Sequence, residues 1–104
     1  VQVTVVAELS VVPIGTSSTE LSTYIAEALK TIKQAKGVKW QLTPMGTIIE
    51  TDSLDMLFSL VKQAHESLFK AGAKRVSTLI KVDDRRDVVG DRMKGKVDSV
   101  LRKI

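Results

Sequence analysis

The feature that most constrains this chain is the order in which its apolar spacing changes period. From Val1 to Val12 the residues alternate. Val3, Val5, Ala7, Leu9 and Val11 fall on one side, and Gln2, Thr4, Val6, Glu8, Ser10 and Val12 on the other, which is a strand with one strongly apolar face. From Leu21 the steps become three and four, through Ile25, Ala28, Leu29, Ile32 and Ala35, a single helical stripe. Ser17 with Glu20 fits the S-x-x-E capping box, and Gly37 stands where a left-handed terminator belongs, so the pattern predicts a helix over 18–36. Val38, Trp40 and Leu42 alternate again, and "PMG" interrupts before an extended run over 47–50. These are two strands joined by a tight turn at 43–46. Leu54, Leu57, Phe58, Val61, Ala64 and Leu68 form a second helical stripe, opened by Asp52 or Ser53 and closed by Gly72. A fourth strand over 75–82 carries Val76, Thr78, Ile80 and Val82 on one face. Met93, Val97, Val100, Leu101 and Ile104 predict a short third helix.

The order is therefore β-α-β-β-α-β with an added C-terminal helix. It specifies an α+β, ferredoxin-like sandwich, one domain over 1–104, with both long helices on one face of a four-stranded antiparallel sheet. In this reading strands one and three are parallel neighbours. A chain of 104 residues supports one core and not two. Val6, Val12, Ile48 and Leu79 make the other sheet face half-apolar. That face is expected to pack against another copy or under the third helix, which points to a homodimer or a tetramer of dimers.

Net charge is +4, which would suit an anionic partner, but acids and bases are interspersed, as in "KVDDRRDVVGDRMKGKVDSVLRKI". A mixed solvated surface accounts for this better than a nucleic-acid patch. The absence of cysteine excludes a disulfide scaffold, an iron–sulfur centre and a thiol nucleophile, and a single histidine argues against a zinc site. No apolar run approaches the roughly 18 to 20 residues of a membrane span, and no leader pattern opens the sequence. A cytoplasmic protein without membrane association is the expectation.

If strands one and three end at the same edge, the loop 13–18 comes close to Glu50, Thr51 and Asp52, where two helix starts also present unpaired N–H groups. A pocket there would combine backbone donors, the hydroxyls of Thr16, Ser17, Ser18 and Thr19, and the Glu50 carboxylate. Gly15 would allow a close approach to a ligand or a positive φ. The local pattern is equally met if Pro13, Ile14 and Gly15 make a turn and Ser17 caps the helix, which needs no ligand. Both readings stay open at this point.

The segments "VVPIGTSSTELSTYIAEAL", "TPMGTIIE", "AHESLFKAGAKRV" and "TLIKVDDRRD" together resemble the small thiamine-binding, YkoF-like family of ferredoxin-like proteins over nearly the whole chain. Its most specific parts are P-I-G-T followed by hydroxyl residues and M-G-T-x-I-E. The resemblance implies a non-enzymatic, oligomeric cytoplasmic protein that binds thiamine or its hydroxymethylpyrimidine part, with no further cofactor and no metal. The two motifs map onto Gly15, Thr16 and Ser17, and onto Met45, Gly46, Thr47 and Glu50. The chemistry is consistent: an aminopyrimidine offers ring-nitrogen acceptors and an amino donor, and a cationic thiazolium favours a carboxylate or an aromatic face. The overall positive charge would better suit a phosphorylated form.

Other residues have plainer readings. Arg85 and Arg86 in "DDRRD" could bind a phosphate, but the flanking aspartates favour an intersubunit salt-bridge loop. His65, between Val61 and Leu68, reads as a structural histidine, and Trp40 as core. An RNA-binding module is the alternative function, although Tyr24, Phe58 and Phe69 fall on predicted helices and leave no stacking platform beyond Trp40. A hydrolase or isomerase using Glu50 with His65 meets a separation of roughly 20 Å along the second helix at 1.5 Å per residue.

Overall fold

The computed structural model describes residues 4–87 and 92–104; Val1 and Val3 of the predicted first strand lie outside them. The elements follow the expected order: β1 (Val5–Pro13), α1 (Ser22–Lys33), β2 (Lys39–Thr43), β3 (Gly46–Thr51), α2 (Leu54–Lys70), β4 (Val76–Asp84) and α3 (Arg92–Leu101). The described strands form one four-stranded sheet in the order β2-β3-β1-β4. The core lies between the sheet and the two long helices. Val5, Ala7, Leu9 and Val11 of β1 and Ile49 of β3 meet Ala28 and Ile32 of α1 and Leu57, Leu60, Ala64 and Leu68 of α2.

Every neighbouring pair of strands is antiparallel, so the expected parallel pairing of strands one and three is corrected. The reason is topological. The crossover through α1 returns β2 parallel to β1 but one place away, and the hairpin then folds β3 back into the gap, antiparallel to both. In register, Val6 faces Glu50 and Leu9 faces Thr47. The starts of α1 and α2 therefore lie at opposite ends of the sheet rather than at a shared edge.

Helix α1 also begins later than the capping box suggests. Its N-cap is Leu21, which makes no side-chain cap. Ser18 Oγ instead accepts the Glu20 N–H at 3.0 Å, and Glu20 Oε1 accepts the Ser22 N–H at 2.8 Å, so the acid tends the first helical donor from the preceding turn. Gly37 does adopt a positive φ of 74° beyond the end of α1. For α2, Ser53 is the cap, accepting the Met56 N–H at 3.1 Å.

Trp40 is a second correction. It sits on β2, the five-residue edge strand, and remains 37% exposed, because the long helices pack chiefly over β1 and leave the sheet edge uncovered. On the open face α3 leans on β3 and β1. Val6 and Ile48 lie in a cleft with Met93 and Val97, as the third-helix reading expects, while Leu79 stays exposed.

Candidate functional site

The hydroxyl-rich bend after β1 is held by its own hydrogen bonds. Ile14 N–H donates to the Arg75 carbonyl at 2.8 Å, Gly15 takes a φ of 81°, and Thr16 Oγ1 donates to the Ser18 carbonyl at 2.7 Å. Ser17 is exposed. Among the described residues, no atom beyond its chain neighbours lies within 4 Å of where a Cβ on Gly15 would stand, so its backbone conformation, rather than a close contact, calls for glycine.

The other motif builds the β2–β3 hairpin. Thr43 Oγ1 donates to the Gly46 carbonyl at 2.8 Å and accepts the N–H groups of Gly46 at 3.1 Å and Met45 at 3.3 Å. Gly46 lies against β1: a Cβ there would stand 3.0 Å from the Leu9 carbonyl oxygen. Thr47 is buried on the helix-covered side, and Met45 is exposed. A cavity of about 160 Å³ between this hairpin and α1 is lined by apolar groups such as Leu9, Val11, Ile25 and Ala28, together with the motif residues Met45, Gly46 and Thr47.

Glu50 is elsewhere. Side chains alternate along β3, so Glu50 and Ile48 point to the open face while Thr47, Ile49 and Thr51 point to the core. Because Glu50 faces Val6 and the bend follows Pro13, strand length at about 3.3 Å per residue separates them by roughly 23 Å. Within the subunit, Gly15, Thr16 and Ser17 share a sheet end with Met45 and Gly46, at the end of the sheet away from Glu50.

The surroundings of Glu50 are specific. It is 2% exposed, and Oε1 accepts the backbone N–H groups of Arg92, in a short contact, and of Met93 at 3.4 Å, so the carboxylate closes the start of α3. Oε2 lies 4.0 Å from Lys39 Nζ. Beside it opens a cleft of about 740 Å³, walled by Val38, Lys39, Trp40, Gln41 and Glu50 from the sheet edge and by Met93, Lys94, Val97 and Asp98 from α3. That volume falls within the range of small-molecule sites. The cleft combines one buried carboxylate, an amide and a second acid, a set suited to a cationic heteroaromatic molecule with an amino donor.

A charged cluster fixes the same helix from its other side. Asp83 Oδ2 accepts from Lys96 Nζ at 2.6 Å and from Arg92 at 2.9 Å, and these two cations, Lys96 first, hold its carboxyl below the ordinary range. Arg92 is only 4% exposed. In "DDRRD" the arginines are matched within the chain: Arg85 with Asp87 at 2.8 and 3.1 Å, and Arg86 with Asp84 at 3.0 and 2.8 Å. His65 Nδ1 shares a 2.6 Å hydrogen bond with Thr78 Oγ1 on the helix side of the sheet, in keeping with a structural histidine and across the sheet from Glu50.

Sequence reading missed the meeting of Glu50 with Arg92 and Met93, and the cleft that Gln41 and Asp98 line beside it. Strand parity alone puts Thr47 and Glu50 on opposite faces of the sheet, so that part of the arrangement was readable. The approach of α3 was not. For an RNA-binding surface the pairing is unfavourable: Trp40 pairs with Ile49 and so belongs to the helix-side register, while Tyr24 lies on α1 and Phe58 and Phe69 on α2. Among the described residues no helix is long and apolar enough to cross a membrane, and no group of acidic or histidine side chains has metal-binding geometry.

A family model described as thiamine-binding protein matches residues 7–101. A UPF0045 protein of Methanothermobacter thermautotrophicus is 46% identical over 101 residues, 96% of this chain and 99% of that protein. Another UPF0045 protein, from Bacillus subtilis, is 41% identical over 98 residues, 91% of this chain and 92% of its own length. Among solved structures, a hypothetical protein of Methanocaldococcus jannascii superposes with a TM-score of 0.82 at 29% identity, covering 92% of this chain and 94% of that one. A candidate thiamine biosynthesis/salvage protein of Thermotoga maritima shares the fold, with a TM-score of 0.76 at 24% identity over 92% of this chain and 97% of its own.

Proposed function

We propose, from the premise that this chain belongs to the thiamine-binding protein family, that it is a non-enzymatic binding protein for thiamine or its hydroxymethylpyrimidine part, serving transport, storage or sensing. The observation that carries the reading is the buried Glu50 carboxylate in a cleft between the sheet edge and α3. With Oε1 engaged by α3, Oε2 is the oxygen available to accept from the pyrimidine amino group. The cationic thiazolium would lie toward the Asp98 carboxylate on the α3 wall. A phosphorylated form would meet Lys39 and Lys94 on the same walls.

Of the residues expected from sequence, this reading assigns Glu50 to the ligand. It assigns Gly15, Thr16, Ser17, Met45, Gly46 and Thr47 to building the bend and the hairpin. His65, across the sheet from Glu50, supplies no proton relay to it, which supports binding over catalysis by that pair. Self-association belongs to the same proposal, since Leu79 and the outer apolar residues of α3 are exposed.

Titration calorimetry with thiamine, its phosphates and hydroxymethylpyrimidine tests the reading. Heat and thermal stabilisation are expected with at least one of them, together with a change in Trp40 fluorescence. Glu50→Gln is expected to weaken that binding about tenfold. No response to any of the compounds overturns the reading, and an unchanged affinity in the Gln variant removes Glu50 from the site.

A further inference from the structure

We infer that α3 is a movable wall of this cleft, which an occupant spanning both walls locks against the sheet; the ligand used to probe it rests on the thiamine reading above. Three observations lead to this. Helix α3 supplies one whole side of the cleft, through Met93, Lys94, Val97 and Asp98, while the sheet supplies Trp40, Gln41 and Glu50.

The helix is also lightly packed. Arg92 is its single buried residue among those described, and Val97, Val100 and Leu101 are 57%, 60% and 59% exposed. It is held mainly by polar contacts near its start: Glu50 Oε1 on the Arg92 and Met93 N–H groups, and Asp83 on Arg92 and Lys96. An element with few buried apolar contacts opens at a lower free energy than the core.

Finally, the two oxygens of Glu50 are divided between the walls. Oε1 serves the helix and Oε2 lies toward Lys39 of the edge strand. A donor arriving at Oε2 therefore leaves the helix contacts in place, and a molecule touching both walls binds the docked state more tightly than the undocked one. Occupancy then shifts α3 toward docking.

Hydrogen exchange of the α3 amides in the whole protein, read with and without thiamine, tests this. At a hundredfold excess over Kd, α3 exchange is expected to slow by about tenfold or more. Asp83 lies outside the lining of this cleft, so Asp83→Asn loosens the helix without touching the ligand. In the free protein it is expected to speed α3 exchange by at least about threefold, because it removes the ionised partner of both Lys96 and the buried Arg92, while α2 amides change little. Thiamine should then restore α3 protection in the variant.

If calorimetry shows thiamine binding and core amides slow while α3 amides do not, the wall is fixed and the inference fails with the binding reading intact. If thiamine gives no heat, the binding reading fails by that separate measurement. In that case unchanged α3 exchange in Asp83→Asn overturns the mobility of α3 by itself, and faster exchange upholds it.

Discussion

The Glu50 carboxylate, on β3, accepts the backbone N–H of Arg92 at the first turn of α3, so one acidic side chain ties the sheet to the last helix of the chain. This contact decides which residues surround the cleft. It brings Met93, Val97 and Asp98 opposite Trp40 and Gln41, residues that no local motif groups together. It also satisfies two donors that a helix start would otherwise leave to water.

Gly46→Ala should destabilise the fold by about 1–3 kcal/mol, because the new methyl would meet the Leu9 carbonyl at 3.0 Å, where backbone cannot yield cheaply. Gly95→Ala, within α3 and with open space around it, should instead stabilise that helix by about 0.5–1 kcal/mol. Urea denaturation of the first variant and α3 hydrogen exchange in the second read the two effects. Equal stability of Gly46→Ala and the parent would show that β1 and β3 are not so closely apposed.

Thr78→Val should cost about 1 kcal/mol, since it leaves the half-buried His65 Nδ1 without its 2.6 Å partner. Thiamine affinity should not change, because this pair lies across the sheet from Glu50. Thermal unfolding and calorimetry on the same preparation separate the two, and a large loss of affinity would place His65 near the ligand.

Acid should release α3 before it unfolds the core. Asp83 is held below the ordinary carboxylate range by Lys96 and then Arg92, and Asp84 by Arg86 and then Thr4. A folded-state value below the unfolded one means that the ionised carboxylate stabilises the fold. That contribution is complete above the ordinary range and disappears as pH falls through the folded value. Exchange of α3 amides, corrected for the intrinsic pH dependence, should therefore accelerate below about pH 4. In Asp83→Asn the acceleration should be smaller, and an identical profile would remove Asp83 as the responsible group.

How far the sequence carries is visible in individual residues. The change of period at Leu21 and at Leu54 marks both long helices, and Val5, Ala7, Leu9 and Val11 are core as their alternation requires. Gly37 and Gly72 have the positive φ expected of them. Trp40 misled because alternation reports which side a residue takes and not whether a helix covers that end of the sheet. Ser17 misled because the Ser18 hydroxyl takes the Glu20 N–H and Glu20 turns to the Ser22 N–H, so the helix starts one turn later.

By itself the sequence determined the order of elements, the side of the sheet each strand residue takes and the residues that form the core. These depend on spacings of two to four residues, which short-range stereochemistry reads directly. Strand direction at the β1–β3 pair, the burial of Glu50 and its meeting with Arg92 were decided by the tertiary structure alone. Each depends on where segments distant in the chain come to rest, and there the crossover through α1 and the return of α3 set geometry that no local pattern encodes.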